Sequence, residues 1–355
     1  MTIPLSSGLR QRTITASSLV IHYGLLRESG TKMTIRPGMS GDSVKSIETF
    51  LANLKLYLGP IDSSFGGGVA SAVKSYQKQQ GLQPTGNVDP ATWTRMFPND
   101  PPPVSQIASL PLAERCLALT GSFETGRYPP DCFWGVTGDF DGMGISFGAL
   151  QWNVGQGTLQ AVLTQMFTKH PDVVHNIFHE YFDTMAHLAG EVVADQLAFT
   201  RSIQTRGVLN EPWNGMLIAL GRTPECQSVQ TEHAGAVFNQ ALQMCADYGL
   251  VSERAAALMF DIATQGGSIG TVVRAQIMAD FASLPANDPG NEVARMCIVA
   301  NRRAASSDPK FVDDVRTRKL TIANGTGTVH GFFYDLDDMF GLTLNPFAQA
   351  LAAAH

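Results

Sequence analysis

Apolar residues recur every three or four positions along most of the chain, which is the spacing of one buried helix face. Between Gly41 and Phe97 this spacing predicts two amphipathic helices, separated by a turn-rich break at residues 59–66. Asp89 and Pro90 fit an N-cap followed by proline at the first helical position, which predicts a third, short helix. The predicted inward faces of the first two helices are Val44, Ile47, Leu51 and Leu54, then Val69, Ala72, Val73 and Tyr76.

From residue 110 onward the helical spacing dominates again. The first helix of this part is expected to bury Leu112, Cys116, Leu119 and Phe123. Residues 133–153 have instead the composition of strands and turns. The expected fold class is mainly α, close to α+β, with a small three-helix domain and a larger helical domain that contains one inserted β-hairpin.

Proline content suggests where these domains meet. Four of residues 98–103 are proline, which predicts a semi-rigid, proline-rich linker over residues 98–109. The three-helix domain is then assigned to residues 33–97 and the larger domain to residues 110–355. Residues 1–32 match no downstream pattern and are expected to form a disordered leader, with an upstream start ahead of Met33 as the alternative.

Composition narrows the classes of function. With 44% apolar and 16% charged residues the protein is globular, and its net charge of −6 argues against a nucleic-acid partner. No apolar run approaches the roughly 20 residues of a membrane helix, and His22 and Tyr23 interrupt the only signal-peptide candidate. The five cysteines lack metal-binding spacing, so we expect mostly buried thiols, no metal and no cofactor; a disulfide between Cys116 and Cys132 remains an alternative.

Two carboxylates, 17 positions apart, mark the stretch with the most chemistry. Glu124 ends a predicted helix, and Asp141, with Asp139 two positions before it, opens a turn rich in glycine. Two carboxylates on opposite walls of a cleft are what glycosidic bond cleavage requires, because one protonates the leaving oxygen while the other activates water or stabilises an oxocarbenium-like centre. An exposed glutamate beside a turn, and ordinary Asp-Gly turn chemistry, are the alternatives from the residues alone.

The three-helix unit also carries a recognisable set of turns and apolar registers. They are Gly38-x-x-Gly41-x-x-Val44-x-x-Ile47, Ile61-Asp62-x-x-Phe65-Gly66, Ala72-Val73-x-x-Tyr76-Gln77-x-x-x-Gly81-Leu82 and Gly86-x-Val88-x-x-x-Thr92-Trp93. Together they resemble the small peptidoglycan-binding domain of bacterial and phage cell-wall hydrolases over roughly residues 34–97. The resemblance implies peptidoglycan as the polysaccharide partner.

A helix that ends in Glu124 and is followed by Asp141-Gly-x-Gly-Ile-Ser146-x-Gly148 is similar to the catalytic entry of the chitosanase family, within the lysozyme superfamily. The resemblance implies that Glu124 is the general acid, that Asp141 is the general base and that the Ser146 hydroxyl positions water. If the geometry of that family carries over, the reaction inverts the anomeric centre, with carboxyl groups roughly 6.5–9.5 Å apart.

Weaker similarities to the chitosanase family lie further along the chain. They are Phe260-Asp261-Ile-Ala-Thr-Gln265-Gly266 and Val312-Asp-Asp-Val-Arg316-x-Arg318, the latter running on to Asn324-Gly-Thr-Gly327. By this resemblance Asp261 is expected to support the catalytic aspartate from behind, paired with Arg302, Arg303 or Arg316. Five further side chains near the acids are candidates for substrate binding, with core packing as the alternative for the aromatic ones: Tyr128, Asp139, Gln151, Trp152 and Asn153.

These inferences lead to one main hypothesis, a monomeric peptidoglycan hydrolase of the muramidase type that resembles phage or prophage endolysins. Without a signal peptide, such an enzyme would reach the wall either through a holin, as an endolysin, or through a secretion machine, as an antibacterial effector. A chitosanase, a lytic transglycosylase and a non-catalytic cell-wall binding protein are the alternatives.

Overall fold

The computed structural model describes residues 32–285 and 291–352. The predicted leader lies outside the described residues, except for Lys32. Helices dominate and the strands are few and short, which confirms the predicted mainly α fold class.

The N-terminal unit contains three helices, α1 (Asp42–Asn53), α2 (Gly67–Gln79) and α3 (Pro90–Met96). Val44, Ile47 and Leu51 are buried on one face of α1, as their spacing predicts. The Asp89 side chain accepts a hydrogen bond of 2.7 Å from the Thr92 N–H, so the predicted N-cap of α3 is confirmed.

The larger part begins at α4 (Leu112–Thr125) and continues through twelve further described helices. They are α5 (Thr158–Lys169), α6 (Pro171–Phe178), α7 (Phe182–Gly190), α8 (Val193–Ser202), α9 (Trp213–Arg222), α10 (Pro224–Tyr248), α11 (Glu253–Gly266), α12 (Thr271–Ala282), α13 (Asn291–Ala305), α14 (Val312–Asn324), α15 (Leu336–Phe340) and α16 (Phe347–Ala352). Short 3₁₀ turns lie at Ile107–Ser109, Asp131–Trp134, His179–Tyr181 and Pro309–Phe311.

Helix α11 lies at the centre of this part, because residues Ala255 to Ala263 are buried in succession. A helix that is buried on nearly every side in this way is an interior helix. It packs against α4, α10 and α14, and so joins the three helices that surround it.

The inserted β-structure is a three-stranded antiparallel sheet rather than a single hairpin. Its strands are β1 (Val136–Thr137), β2 (Ser146–Phe147) and β3 (Trp152–Asn153), with β2 in the middle. The loop from β1 to β2 carries the two candidate aspartates. Two further antiparallel pairs, which the sequence pattern did not reveal, are β4 (Gln204–Thr205) with β5 (Val208–Leu209) and β6 (Thr326–Val329) with β7 (Phe332–Asp335).

Buried apolar residues form two clusters. One runs from Ile35 in the N-terminal unit through α4, α10 and α11 to Leu342, and the other joins β2, α5 and α9. The five cysteines are free thiols, four of them buried. No helix within the described residues is long and apolar enough to cross a membrane.

Candidate active site

Glu124 lies in the last turn of α4, which ends where Gly126 adopts a left-handed conformation with φ of 68°. Phe123 is buried, whereas the Glu124 side chain keeps 21% of its surface exposed. The helix can approach the sheet closely because residue 121 is glycine. A Cβ there would lie only 3.1 Å from the Cβ of Ala149. Helix α4, which carries the candidate acid, is therefore packed against the turn that joins β2 to β3.

Arg318 of α14 fixes the orientation of the Glu124 carboxylate. Its Nη2 donates a hydrogen bond of 2.7 Å to Glu124 Oε1, and the Arg318 side chain is only 2% exposed. Within the part of the chain that the structure describes, Glu124 Oε2 has no hydrogen-bond donor. One carboxylate oxygen is thus tied to the protein and the other is left for a ligand.

Asp261 of α11 balances the buried cations behind Glu124. Its Oδ1 accepts from Arg318 Nε at 2.8 Å, and its Oδ2 accepts from Lys319 Nζ at 2.7 Å. Burial alone would raise the pKa of Asp261, but the two cations lower it to about 2. Burial lowers the pKa of Lys319, although Asp261 opposes that shift. Asp261 therefore stays ionised and compensates charge in the interior.

The predicted partners of Asp261 were wrong. Arg302 pairs with Asp280 and Arg316 pairs with Asp313, while Arg303 donates to Ser307 Oγ. Arg316 and Arg318 are two positions apart on α14, so their side chains diverge by about 200° around the helix axis. Arg318 faces the core and Arg316 does not. The same contacts correct the prediction that Asp261 supports the catalytic aspartate. Asp261 binds Arg318, and Arg318 binds Glu124, so Asp261 supports the candidate acid instead.

The loop from β1 to β2 carries Asp139 and Asp141 in different environments. Asp141 is exposed, and its Oδ1 accepts the Met143 N–H at 3.0 Å. Asp139 is held inside the loop, because its Oδ1 accepts the Gly142 N–H at 2.7 Å and its Oδ2 pairs with Arg201 at 3.0 Å. Burial opposes ionisation of Asp139, but the Arg201 hydrogen bond and the Gly144 and Gly142 N–H groups lower its pKa.

Helix α8 and the β4–β5 hairpin hold this loop in place. Gln204 Oε1 accepts the Asp139 N–H at 2.7 Å, and Arg201 Nη2 donates to the Gly142 carbonyl at 3.1 Å. Gly138 and Gly207 touch so closely that a Cβ at residue 138 would overlap the Gly207 carbonyl oxygen. Both oxygens of Asp139 are thus engaged in loop structure, which argues for a positioning role rather than the predicted contact with substrate.

The polar side chains of the sheet are also largely engaged within it. Gln151 accepts from the Thr137 hydroxyl at 2.7 Å and donates to the Gly148 carbonyl at 2.9 Å. Asn153 Oδ1 accepts the Gln156 N–H at 2.8 Å. Ser146 is half-buried on β2, opposite Asn153, and so lies on the same sheet whose loop carries Asp141.

The two aromatic candidates have different positions. Trp152 is partly buried and packs against both apolar clusters. The Tyr128 hydroxyl is buried and donates to the Met339 carbonyl at 2.8 Å, and burial raises the pKa of Tyr128 to about 12. Tyr128 is therefore a core residue, and the structure corrects its predicted contact with substrate.

Four residues that position the site were missed by the sequence reasoning. Arg318 is part of the C-terminal motif and Lys319 follows it directly. The motif was therefore identified, but not the face of its helix that points to Asp261. Arg201 and Gln204 lie about 60 positions from Asp139, and no local pattern marks them. No group of three or more residues able to hold a metal occurs within residues 32–285 and 291–352.

We predict that Asp261→Asn strongly destabilises the protein, because it leaves Arg318 and Lys319 buried without their shared anion. Loss of one partner in a buried ion pair costs about 3–5 kcal/mol, which urea unfolding at neutral pH will measure. Asp280→Asn is the matched control, since its pair with Arg302 is partly exposed and should change the unfolding midpoint little. Equal effects of the two substitutions would contradict the prediction.

Stability should also fall in acid because of Asp261. Its pKa is about 2 in the folded protein and about 3.9 in an unfolded chain, so its contribution is fully present above about pH 4 and is lost as the pH falls towards 2. The difference corresponds to about 2.5 kcal/mol. Urea titrations from pH 5 to about pH 2 should show this loss in the wild type. The Asp261→Asn protein should show a shallower acid dependence, and parallel profiles would refute the assignment.

Comparison with known proteins supports the identity of the N-terminal unit. Residues 40–96 match the family model of a peptidoglycan binding domain. A protein of Kitasatospora aureofaciens, named "Uncharacterized protein in bpoA1 3′ region", is 41% identical over 58 residues. That match covers 16% of this chain and 49% of that protein, so the chain spans about half the length of this curated relative.

The fold is similar to several solved chitosanase structures. Chitosanase OU01 with substrate has a TM-score of 0.44 and 16% identity, covering 65% of this chain and 99% of that one. A mutant chitosanase from Bacillus subtilis MY002, complexed with 6 GlcN, has a TM-score of 0.42 and 14% identity, covering 61% and 87%. The Gynuella sunshinyii GH46 chitosanase with chitotetraose has a TM-score of 0.39 and 14% identity, covering 63% and 88%. At these values neither substrate nor reaction is carried over to this chain.

Proposed function

We propose that the protein is a glycoside hydrolase that cleaves the glycan backbone of peptidoglycan, as a muramidase does. The observation that carries the proposal is Glu124, a partly exposed carboxyl group whose Oε1 is fixed by buried Arg318. It stands in a chain whose residues 40–96 match a peptidoglycan binding domain. A fixed carboxyl in the last turn of α4 and an exposed aspartate on the loop from β1 to β2 would supply the two groups that the reaction needs.

In the proposed reaction Glu124 Oε2 gives its proton to the glycosidic oxygen as the bond from that oxygen to the anomeric carbon breaks. Asp141 takes a proton from water, and the remaining hydroxide oxygen bonds to the anomeric carbon from the opposite face. Ser146, on the strand that follows the Asp141 loop, would orient that water. The products are two shorter glycans, and proton exchange with solvent restores both carboxyl groups.

The N-terminal unit would hold the polymer while the second part of the chain cuts it. Binding one segment of an insoluble glycan makes the next encounter intramolecular and so raises the effective concentration of the scissile bonds. Peptidoglycan would be the partner in this scheme, with the bacterial wall as the site of action.

Digestion of purified sacculi and of chitosan, followed by mass analysis, tests the proposal. Reducing N-acetylmuramic acid ends are expected from sacculi. Anhydro ends would identify a lytic transglycosylase, and cleavage of chitosan alone would identify a chitosanase. Binding to sacculi without any product would identify a cell-wall binding protein.

We predict that Glu124→Gln lowers kcat by at least about a thousandfold, because no other group would protonate the leaving oxygen. Asp141→Asn should lower kcat by about a hundredfold or more, since water would lose its base. Release of reducing ends from sacculi measures both effects. Binding should be unchanged, so the fraction of each variant that sediments together with sacculi should match that of the wild type. Asp172→Asn, which removes an exposed carboxylate at the start of α6, is the control for carboxylate loss. Wild-type turnover by Glu124→Gln would contradict the assignment.

Arg201→Met should lower kcat about fivefold to tenfold and change thermal stability little. The pair of Arg201 with Asp139 is partly exposed, so it contributes little to folding, but it holds the loop that carries Asp141. Arg206→Met is the matched control, because Arg206 is an exposed arginine on the turn between β4 and β5, close to Arg201 in sequence but, among the described residues, without a bond to the Asp141 loop. Soluble glycan strands are the substrate for both variants. Equal kcat values for Arg201→Met and Arg206→Met would show that the Asp141 loop does not depend on Arg201.

A further inference from the structure

Arg36 is a buried cation without a buried anion. It lies just before α1, is 0% exposed, and donates to the Ser122 hydroxyl at 3.0 Å and to the Pro37 carbonyl at 2.6 Å. Among residues 32–285 and 291–352 no carboxylate lies within ion-pair distance of it, and its Nε has no hydrogen-bond partner. A guanidinium is costly to bury in this way, so its surroundings should show what compensates the charge.

Two aromatic rings and the end of α4 supply this compensation. The Arg36 guanidinium carbon lies 4.2 Å from the centre of the Tyr334 ring and 5.4 Å from that of Phe332. These are cation–π distances. Ser122, its hydrogen-bond partner, lies in the last turn of α4, where the helix dipole favours positive charge.

The Tyr334 ring is also linked to Glu124, through Phe123 and Arg318. Tyr334 packs edge to face against Phe123, with ring centres 4.7 Å apart, and Phe123 lies 5.1 Å from the guanidinium carbon of Arg318. Arg318 then donates to Glu124 at 2.7 Å. Two cations thus enclose a pair of aromatic rings in a column, with one end at Arg36 and the other at the candidate acid. The Tyr334 hydroxyl also donates to the Ser122 carbonyl at 3.2 Å, which ties the column to α4.

Backbone contacts press the N-terminal unit against the same helix end. The Gly38 carbonyl accepts the Tyr128 N–H at 2.9 Å, and a Cβ at residue 38 would overlap the Gly126 carbonyl oxygen. The Ser40 hydroxyl donates to Asp131 at 2.6 Å. Since one apolar cluster also spans both parts, the N-terminal unit is packed on the larger part rather than suspended from it.

We propose that Arg36 is a positioning residue, which couples the peptidoglycan-binding unit to the orientation of Glu124 through the column of Tyr334, Phe123 and Arg318. The unit then has two roles, since it holds polymer and also completes the support of the acid. The catalytic part of this inference rests on the proposed function, whereas the structural coupling does not.

Arg36→Met in the full-length protein tests the coupling with two readouts. Amide hydrogen exchange of residues 122–126 should become about tenfold faster, because the last turn of α4 loses its cation and a hydrogen bond. On soluble glycan strands, too short to engage both parts of the protein, kcat should fall about tenfold with KM within about twofold of the wild type. If the N-terminal unit only held polymer and did not support Glu124, Arg36→Met would instead change only the digestion of intact sacculi.

Arg95→Met is the matched control, because Arg95 is an exposed arginine of α3 in the same unit, and it should change neither readout. If Arg36→Met does not fold, Ser122→Ala carries the test and should accelerate exchange about threefold. A lower melting temperature with wild-type exchange and wild-type kcat would make Arg36 purely structural and overturn the proposal. If the wild type cleaves no glycan, the proposed function fails, and exchange at residues 122–126 still decides the coupling.

Discussion

The buried charges around Arg318 are the constraint on which the site depends. Arg318 and Lys319 lie next to each other on α14 and are removed from water, so each needs an anion within hydrogen-bond distance. Asp261, deep on α11, pairs with both cations, and Glu124 in the last turn of α4 pairs with Arg318 as well. Charge compensation therefore holds together α4, α11 and α14, which are distant in sequence. The same arrangement leaves Glu124 with one carboxylate oxygen bound to Arg318 and the other without a donor among the described residues.

Different supports hold the two carboxylates of the proposed mechanism. Glu124 is held by buried cations and packed helices, which move little because the interior is close-packed. Asp141 stands on an exposed loop that depends on Arg201, Gln204 and the close contact between Gly138 and Gly207. The interior of the protein therefore positions Glu124, whereas the contacts of one exposed loop position Asp141.

The sequence predicted the helices better than the contacts among charged residues. The buried face formed by Val44, Ile47 and Leu51 could be predicted because apolar residues recur there every three or four positions. The N-cap at Asp89 could be predicted from Asp89 and the proline that follows it. Glu124 at a helix end and the aspartates on a sheet loop could likewise be predicted, since the motif lies within one short stretch. The partner of Asp261 could not, because Arg316 and Arg318 differ only in the face of α14 they occupy, and that depends on tertiary packing. The positions of Tyr128 and Arg36 depend on the contact between two parts of the chain, which no local pattern records.

The most direct test of the account is digestion of purified sacculi in water enriched in heavy oxygen, with mass analysis of the released glycan ends. Two-carboxylate hydrolysis predicts new reducing N-acetylmuramic acid ends that carry one heavy oxygen at the anomeric carbon, and no such ends from the Glu124→Gln protein. Unlabelled anhydro ends, or labelled ends released equally by the variant, would contradict the central claim that Glu124 and an activated water together break the glycosidic bond.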